Sequence, residues 1–139
     1  MVHLPTLRHH ERGGCRRIFM SATKLDFFED IAVAMEHWAG VASFALTDSH
    51  AGLEWVEEQQ PYRRIQQALE NSGVTTEDVA KILSECLRGF SVSLLTALDG
   101  GTALAQKGRL YVVDEEDNRL GEGLHDDFVG HLFDTGRLR

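Results

Sequence analysis

The chain has 139 residues, and its hydrophobic share of 42% and charged share of 26% suit one globular domain rather than a disordered or fibrous chain. The formal charge is −8 at pH 7. Residues 1–19 hold four arginines and one glutamate, which leaves ten basic and 21 acidic side chains, a balance of −11, for the remainder. Such acidity makes nucleic acid and anionic membrane surfaces improbable partners.

The two cysteines, Cys15 and Cys86, are too few for a disulfide framework and lack the spacing of a metal site. Cys86 lies in a segment with helical apolar periodicity, so we expect a small core residue. The sequence has no run of about 18 apolar residues and no hydrophobic signal region at its N-terminus. These features predict a cytoplasmic protein with reduced thiols and no membrane span.

Residues 1–20 differ in composition from the rest of the chain. They are basic and rich in histidine, and they include Pro5 and the Gly13–Gly14 pair. This pattern predicts a flexible N-terminal arm in front of a single globular domain over residues 21–139. Met20 directly precedes the first helical pattern, which leaves open the alternative that translation begins there.

The first helix is signalled by Thr23 and Asp26, which have the spacing of a capping box. Apolar residues then recur at intervals of three and four, as expected for one helical face: Leu25, Phe28, Ile31, Met35, Trp38, Ala42 and Ala45. The segment "TDSHAG" predicts the end of the helix. An alternative is that Gly40 ends the helix and "VASFAL" forms a short strand.

Three further helical segments are predicted before residue 100. "LEWVEEQQ" is interpreted as a short helix, and Pro61 suits the first turn of the next one, which Gly73 would end. "TTEDVAKILSECLRGF" follows, with an apolar face formed by Val79, Ile82, Leu83, Cys86 and Phe90. Residues 90–98 fit a strand or a helix, and we favour a helix because Gly100–Gly101 would cap it.

The C-terminal part predicts a hairpin and a closing helix. "RLYVV" and "RLGEG" flank the turn-forming residues "DEEDN", which is typical of a β-hairpin. Asp126 is expected to cap a last helix that stops at Gly136. The predicted fold class is therefore α+β and predominantly helical, with four to five helices around one core, a small C-terminal β-hairpin and a closing helix.

The last helix also holds the candidate metal ligands His125, Asp127 and His131, since an Asp and a His at i and i+4 can bind one divalent ion. At 100° per residue, however, Asp127, His131 and Asp134 share the face opposite the apolar residues Phe128 and Leu132. This position favours a solvated ion pair. The metal site stays unassigned, and no cofactor is predicted.

Trp38 and Trp55, together with His37, are the candidate binding residues, because tryptophan often anchors protein interfaces. We therefore predict a small acidic, non-catalytic protein-interaction module, either an inhibitor-like or immunity-like protein or one that associates with itself as a homodimer. Acidic charge would steer it towards a basic protein partner.

Two alternatives belong to other classes. A small enzyme could assemble a site from separate segments, for example from His37, His50, His125 and Asp127. A DNA-binding protein is the other alternative, because "RRIQQALENSGVTTEDVAKIL" resembles the first two helices of a helix-turn-helix module. The next segment carries one arginine where a recognition helix needs several polar side chains to contact bases.

Overall fold

The computed structural model describes residues 21–139, which form four α-helices and a 3₁₀ turn. Helix α1 spans Lys24–Thr47, α2 spans Gln60–Leu69, α3 spans Thr76–Leu98 and α4 spans Leu124–Asp134, with the 3₁₀ turn at Ala103–Gln106. The two long helices, α1 and α3, pack against each other. Helix α4 packs on both of them, and α2 packs on α1. The predicted N-terminal arm and Cys15 lie outside the described residues.

Local capping explains where the long helices begin. The hydroxyl of Thr23 accepts a hydrogen bond from the backbone N–H of Asp26, and the Asp26 carboxylate accepts one from the Thr23 N–H. Thr75 and Asp78 repeat this arrangement at the start of α3. Each capping box satisfies donors that a helix leaves unpaired at its N-terminus. The prediction for Thr23 is confirmed.

Both long helices are continuous through the positions where the sequence was ambiguous. Helix α1 passes through Gly40 and ends at Thr47, so the alternative of a strand over "VASFAL" is wrong. Helix α3 includes residues 90–98, so the preference for a helix there is confirmed. The segment "LEWVEEQQ" forms turns instead of the predicted helix, and α2 begins with Pro61 in its first turn as expected.

The core lies at one end of the helix pair. The hydroxyl oxygens of Thr47 and Thr76 are 2.7 Å apart, so the end of α1 lies beside the start of α3 and the two helices are antiparallel. The largest buried cluster joins the first half of α1, the second half of α3, and α4: Phe28, Ala32, Leu95, Leu124, Phe128 and Leu132. Within residues 21–139, the opposite end is covered by α2 and the segment before it.

The predicted β-hairpin is wrong. Across residues 21–139 there is no strand or sheet, and a single isolated bridge pairs Val113 with Arg119. The turn forms, because the Asp114 carboxylate accepts hydrogen bonds from the N–H groups of Glu116 and Asn118. Gly121 then has a φ of 111° and leads the chain away towards α4, which leaves no length for a ladder. The described fold is helical rather than α+β.

The end of α4 agrees with the sequence, and its start does not. Gly136 has a φ of 72°, and the N–H of Arg137 donates to the Leu132 carbonyl, so the helix ends as predicted. At the other end Asp126 was expected to be the cap, but α4 already begins at Leu124. Among residues 21–139, none of the helices combines the length and apolar character needed to cross a bilayer.

Candidate functional site

Four aromatic rings form a row on the surface at the end of the helix pair that α4 does not cover. We call His37, Trp38, Trp55 and Tyr62 the aromatic cluster. Ring centroids are 5.5 Å apart for His37 and Trp38, 5.6 Å for Trp38 and Trp55, and 5.9 Å for Trp55 and Tyr62. Trp38 remains 48% exposed and Trp55 44% exposed. Rings at these separations stabilise one another and still present a wide apolar surface to solvent.

The segment between α1 and α2 positions Trp55. Its residues Ala51 and Leu53 are buried and fix its path. Gln66 of α2 is 5% exposed, and its amide Nε2 donates hydrogen bonds to the carbonyls of Ala45 at 2.7 Å and Asp48 at 2.8 Å. These bonds satisfy carbonyls at the end of α1 and join α1, the segment and α2. Sequence patterns gave no sign of the role of Gln66, because its partners lie about 20 residues away.

A shallow apolar groove of about 280 Å³ lies between the aromatic cluster and α3. Three residues of the cluster and Ala42 form one wall, and α3 supplies the other with Leu83, Cys86 and Leu87. Cys86 is exposed, so the prediction of a core cysteine is wrong.

Helix α3 continues this apolar surface beyond the groove. We call Ile82, Cys86, Phe90 and Leu94 the outer seam, because they lie four residues apart on the exposed side of α3. Ile82 is 62% exposed, Phe90 68% and Leu94 51%. At 100° per residue the seam spans angles of about 140° to 260° from Leu95, whereas the five charged residues of α3 lie within about 0° to 100°. The charged residues of α3 therefore lie outside the seam.

The sequence identified part of this surface. The structure brings the three candidate binding residues His37, Trp38 and Trp55 together and adds Tyr62. It overturns the assignment of Ile82 and Phe90 to a core-facing side of α3, because both are exposed. Helix α3 has apolar residues around more than half of its circumference, and the charge-free interval between Arg88 and Asp99 is the sequence signal that could have revealed this.

A second polar arrangement joins the end of α3 to the start of α4. The carboxylate of Asp99, 8% exposed, accepts hydrogen bonds from the backbone N–H groups of Leu124 and His125 at 3.0 and 2.9 Å. It also lies 2.5 Å from Nδ1 of the His125 ring. Asp99 therefore caps α4 from another helix, because the N-cap residue Gly123 has no side chain to do so.

The same contacts shift the pKa values of both Asp99 and His125. Burial opposes the charge of Asp99, but the hydrogen bonds from the His125 ring and from the two N–H groups prevail and lower its pKa. The hydrogen bond with Asp99 raises the pKa of His125 above 6.5, and desolvation opposes the shift. At pH values between their two pKa values both groups are charged, and the pair is then an ionic cap at the start of α4.

This pair predicts a defined pH dependence. A histidine whose pKa is raised on folding stabilises the protein fully below its unfolded value of 6.5, and the contribution disappears as the pH rises through the folded value. The lowered pKa of Asp99 makes its contribution fall at pH values below 3.8. The difference in unfolding free energy between the native chain and His125→Gln should therefore be largest between pH 3.8 and 6.5, the ordinary pKa values of the two groups, and smallest once the pH exceeds the raised pKa of His125. Urea unfolding at pH 5, 7 and 9 measures it, and a constant difference would contradict the ionic pair.

The candidate metal ligands do not come together. His125 contacts Asp99, Asp127 forms a 2.7 Å ion pair with Lys24, and His131 lies 3.1 Å from a carboxylate oxygen of Glu29. Within residues 21–139, no group of three histidine, cysteine or acidic side chains is arranged to hold a metal ion.

His131 also corrects the expected orientation of α4. Its side chain is only 10% exposed, and its ring lies 6.0 Å from that of Phe28, so it does not point into water as predicted. Glu29 joins it to the residues after α4, because Arg137 donates two hydrogen bonds to the Glu29 carboxylate at 2.7 and 2.8 Å. Arg137 is the main cause of the lowered pKa of Glu29.

The histidines proposed for an assembled enzyme site are far apart. Lys24, at the start of α1, donates to the Glu122 carbonyl, which places the beginning of α1 close to His125. His37 lies thirteen residues further along α1, a distance of about 20 Å at 1.5 Å per residue. The structure thus does not join His37, His125 and Asp127 in one cleft. For the helix-turn-helix alternative, the segment after "AKIL" continues α3 to Leu98 and does not form a separate recognition helix.

Comparisons with protein-family models, with curated proteins and with solved structures give no significant match to this chain.

Proposed function

We propose that this chain is a non-catalytic protein-interaction module, located in the cytoplasm, that binds its partner through the aromatic cluster and the outer seam. The observation that carries the proposal is an exposed apolar surface with two tryptophans, each nearly half exposed. Large exposed apolar patches on small proteins are typical of interaction sites, and tryptophan is enriched among the residues that dominate binding energy.

The charge distribution supports a protein partner rather than DNA. Residues 21–139 hold ten basic and 21 acidic side chains. A balance of −11 opposes binding to a phosphate backbone and speeds the approach of a basic protein. The partner is either such a basic protein, as for an inhibitor-like or immunity-like protein, or a second copy of this chain in a homodimer.

The expected result of truncating the cluster is a loss of binding. Trp55→Ser removes an anchor while Ala51 and Leu53 still fix the segment, so we expect affinity for the partner to fall about thirtyfold or more. The measurement is affinity capture of the tagged full-length chain from its own cells, followed by a binding constant for each protein that is captured.

Phe133→Ser is the matched control, because Phe133 is 55% exposed but belongs to α4, outside the proposed surface. It should retain every partner that the native chain captures, and circular dichroism should show both variants folded. Partners retained equally by Trp55→Ser would contradict the proposed function. So would a native chain that captures nothing and remains monomeric.

A further inference from the structure

Helix α3 is apolar around more than half of its circumference. Leu83 and Leu87 line the groove towards α1, and Leu95 is buried in the core. On the exposed side, Ile82 and Phe90 are the two most exposed large apolar residues of the helix. A helix with so wide an apolar surface is normally buried over most of it. Within residues 21–139, the part of this surface that carries the outer seam is uncovered.

We propose that a second copy of this chain covers the outer seam, with the two α3 helices antiparallel across a two-fold axis at Cys86. This inference rests on the proposed function and specifies its partner. The axis fits because Ile82 and Phe90 each lie four residues from Cys86. In an antiparallel pair, Ile82 of one copy therefore lies beside Phe90 of the other, and the two Cys86 residues face each other.

The available area suits such an interface. Trp38, Trp55, Ile82, Phe90 and Leu94 are between 44% and 68% exposed. Together these side chains present about 600 Å² of largely apolar surface, taking roughly 150 to 250 Å² for each fully exposed large side chain. That value is at the top of the range for single patches on monomers. Tyr62 and Cys86 extend this surface. Its area is then close to the roughly 800 Å² that each partner contributes to a standard interface.

Charge favours a second copy over a basic partner at the seam. The five charged residues of α3 lie within one sector of about 100°, outside the seam. A basic partner seated on the seam would therefore find no carboxylate of α3 to pair with. The same apolar surface on a second copy carries no charge that needs a carboxylate partner. Because each copy carries a formal charge of −8, added salt should strengthen this dimer by screening repulsion, whereas it would weaken a complex with a basic protein.

The test combines mass with disulfide trapping in the full chain. The native protein should sediment at twice the 15.6 kDa of one chain. Phe90→Asp should weaken dimerisation about a hundredfold, because the two-fold axis introduces each buried charge twice. Leu25→Asp is the control, since Leu25 is 63% exposed on α1 but outside the seam, and it should remain dimeric.

Disulfide trapping locates the axis. With helix axes about 8 to 10 Å apart and Cα atoms about 2.3 Å from each axis, the two Cys86 Cα atoms would lie about 3.4 to 5.4 Å apart. The upper part of that range is compatible with a disulfide bond. In a Cys15→Ser background, treatment with the thiol oxidant diamide should therefore produce a covalent dimer, and additional Cys86→Ser should abolish it.

Each outcome is decisive. A monomeric native chain overturns the inference, and so does a dimer that Phe90→Asp leaves intact and diamide does not trap. If a foreign protein binds through Trp55 while the chain is monomeric, the interaction module stands and the second copy fails. If the chain is monomeric and captures nothing, both proposals fail together.

Discussion

Phe128→Ala is expected to lower the free energy of unfolding by about 3 to 5 kcal/mol, because it removes a fully buried ring and leaves a cavity. Phe128 is 0% exposed, and its ring centroid lies 5.5 Å from that of Phe28, which is also 0% exposed. These two rings join α4 to α1 at the centre of the core. Since a domain of this size has a total stability of about 5 to 15 kcal/mol, this loss is a large fraction of the total.

Phe133→Ala is the matched control within the same helix. Phe133 is 55% exposed, so its truncation should cost less than about 1 kcal/mol. Urea unfolding of both variants, at one fixed protein concentration because association would add to stability, makes the comparison. Equal losses for the two positions would mean that α4 does not bury the side that contains Phe128.

Asp99→Ala is expected to destabilise the protein by about 2 to 3 kcal/mol, because it removes a side chain that caps α4 and pairs with His125. Two backbone N–H groups at the start of α4 would lose their acceptor in a partly buried position. Asp99→Asn should lose roughly half as much, since its amide oxygen still accepts a hydrogen bond but carries no charge.

Asp126→Ala is the control for Asp99→Ala. It tests whether any acidic residue near the start of α4 stabilises the helix as much as the Asp99 cap does. The Asp126 side chain is 84% exposed, and its removal should cost less than about 1 kcal/mol. If Asp126→Ala were as destabilising as Asp99→Ala, the capping role would belong to α4 itself, as the sequence had predicted. Chemical denaturation near pH 6, where Asp99 and His125 are both charged, gives the clearest difference.

Features set by neighbouring residues could be predicted from the sequence. The capping box at Thr23, the proline in the first turn of α2 and the glycine after α4 each depend on residues within one helical turn, and all three are present. The hairpin failed for a related reason. The turn at Asp114 is also local and forms, but its flanks pair through a single isolated bridge and, within residues 21–139, have no further strand beside them, which is too little for a stable hairpin.

Features that depend on distant residues could not be predicted. The partners of Asp99 lie about 25 residues away, and those of Gln66 about 20. Periodicity places Ile82 and Leu95 on different sides of α3, but it does not state which side faces the core. The answer depends on where α4 docks. The two tryptophans could be identified from their residue type. Their contact with each other could not, because it depends on the path of the segment between α1 and α2.

The pairing of Phe28 with Phe128 joins residues 100 positions apart in the chain. A helical protein with such distant contacts should fold more slowly than a simple helical hairpin, because a long loop must close before the contact forms. On the ribosome, α1 and α3 emerge well before α4. During that interval neither apolar side of α3 is fully covered, so the nascent chain is most prone to aggregate, and most in need of a chaperone, just before Phe128 is added.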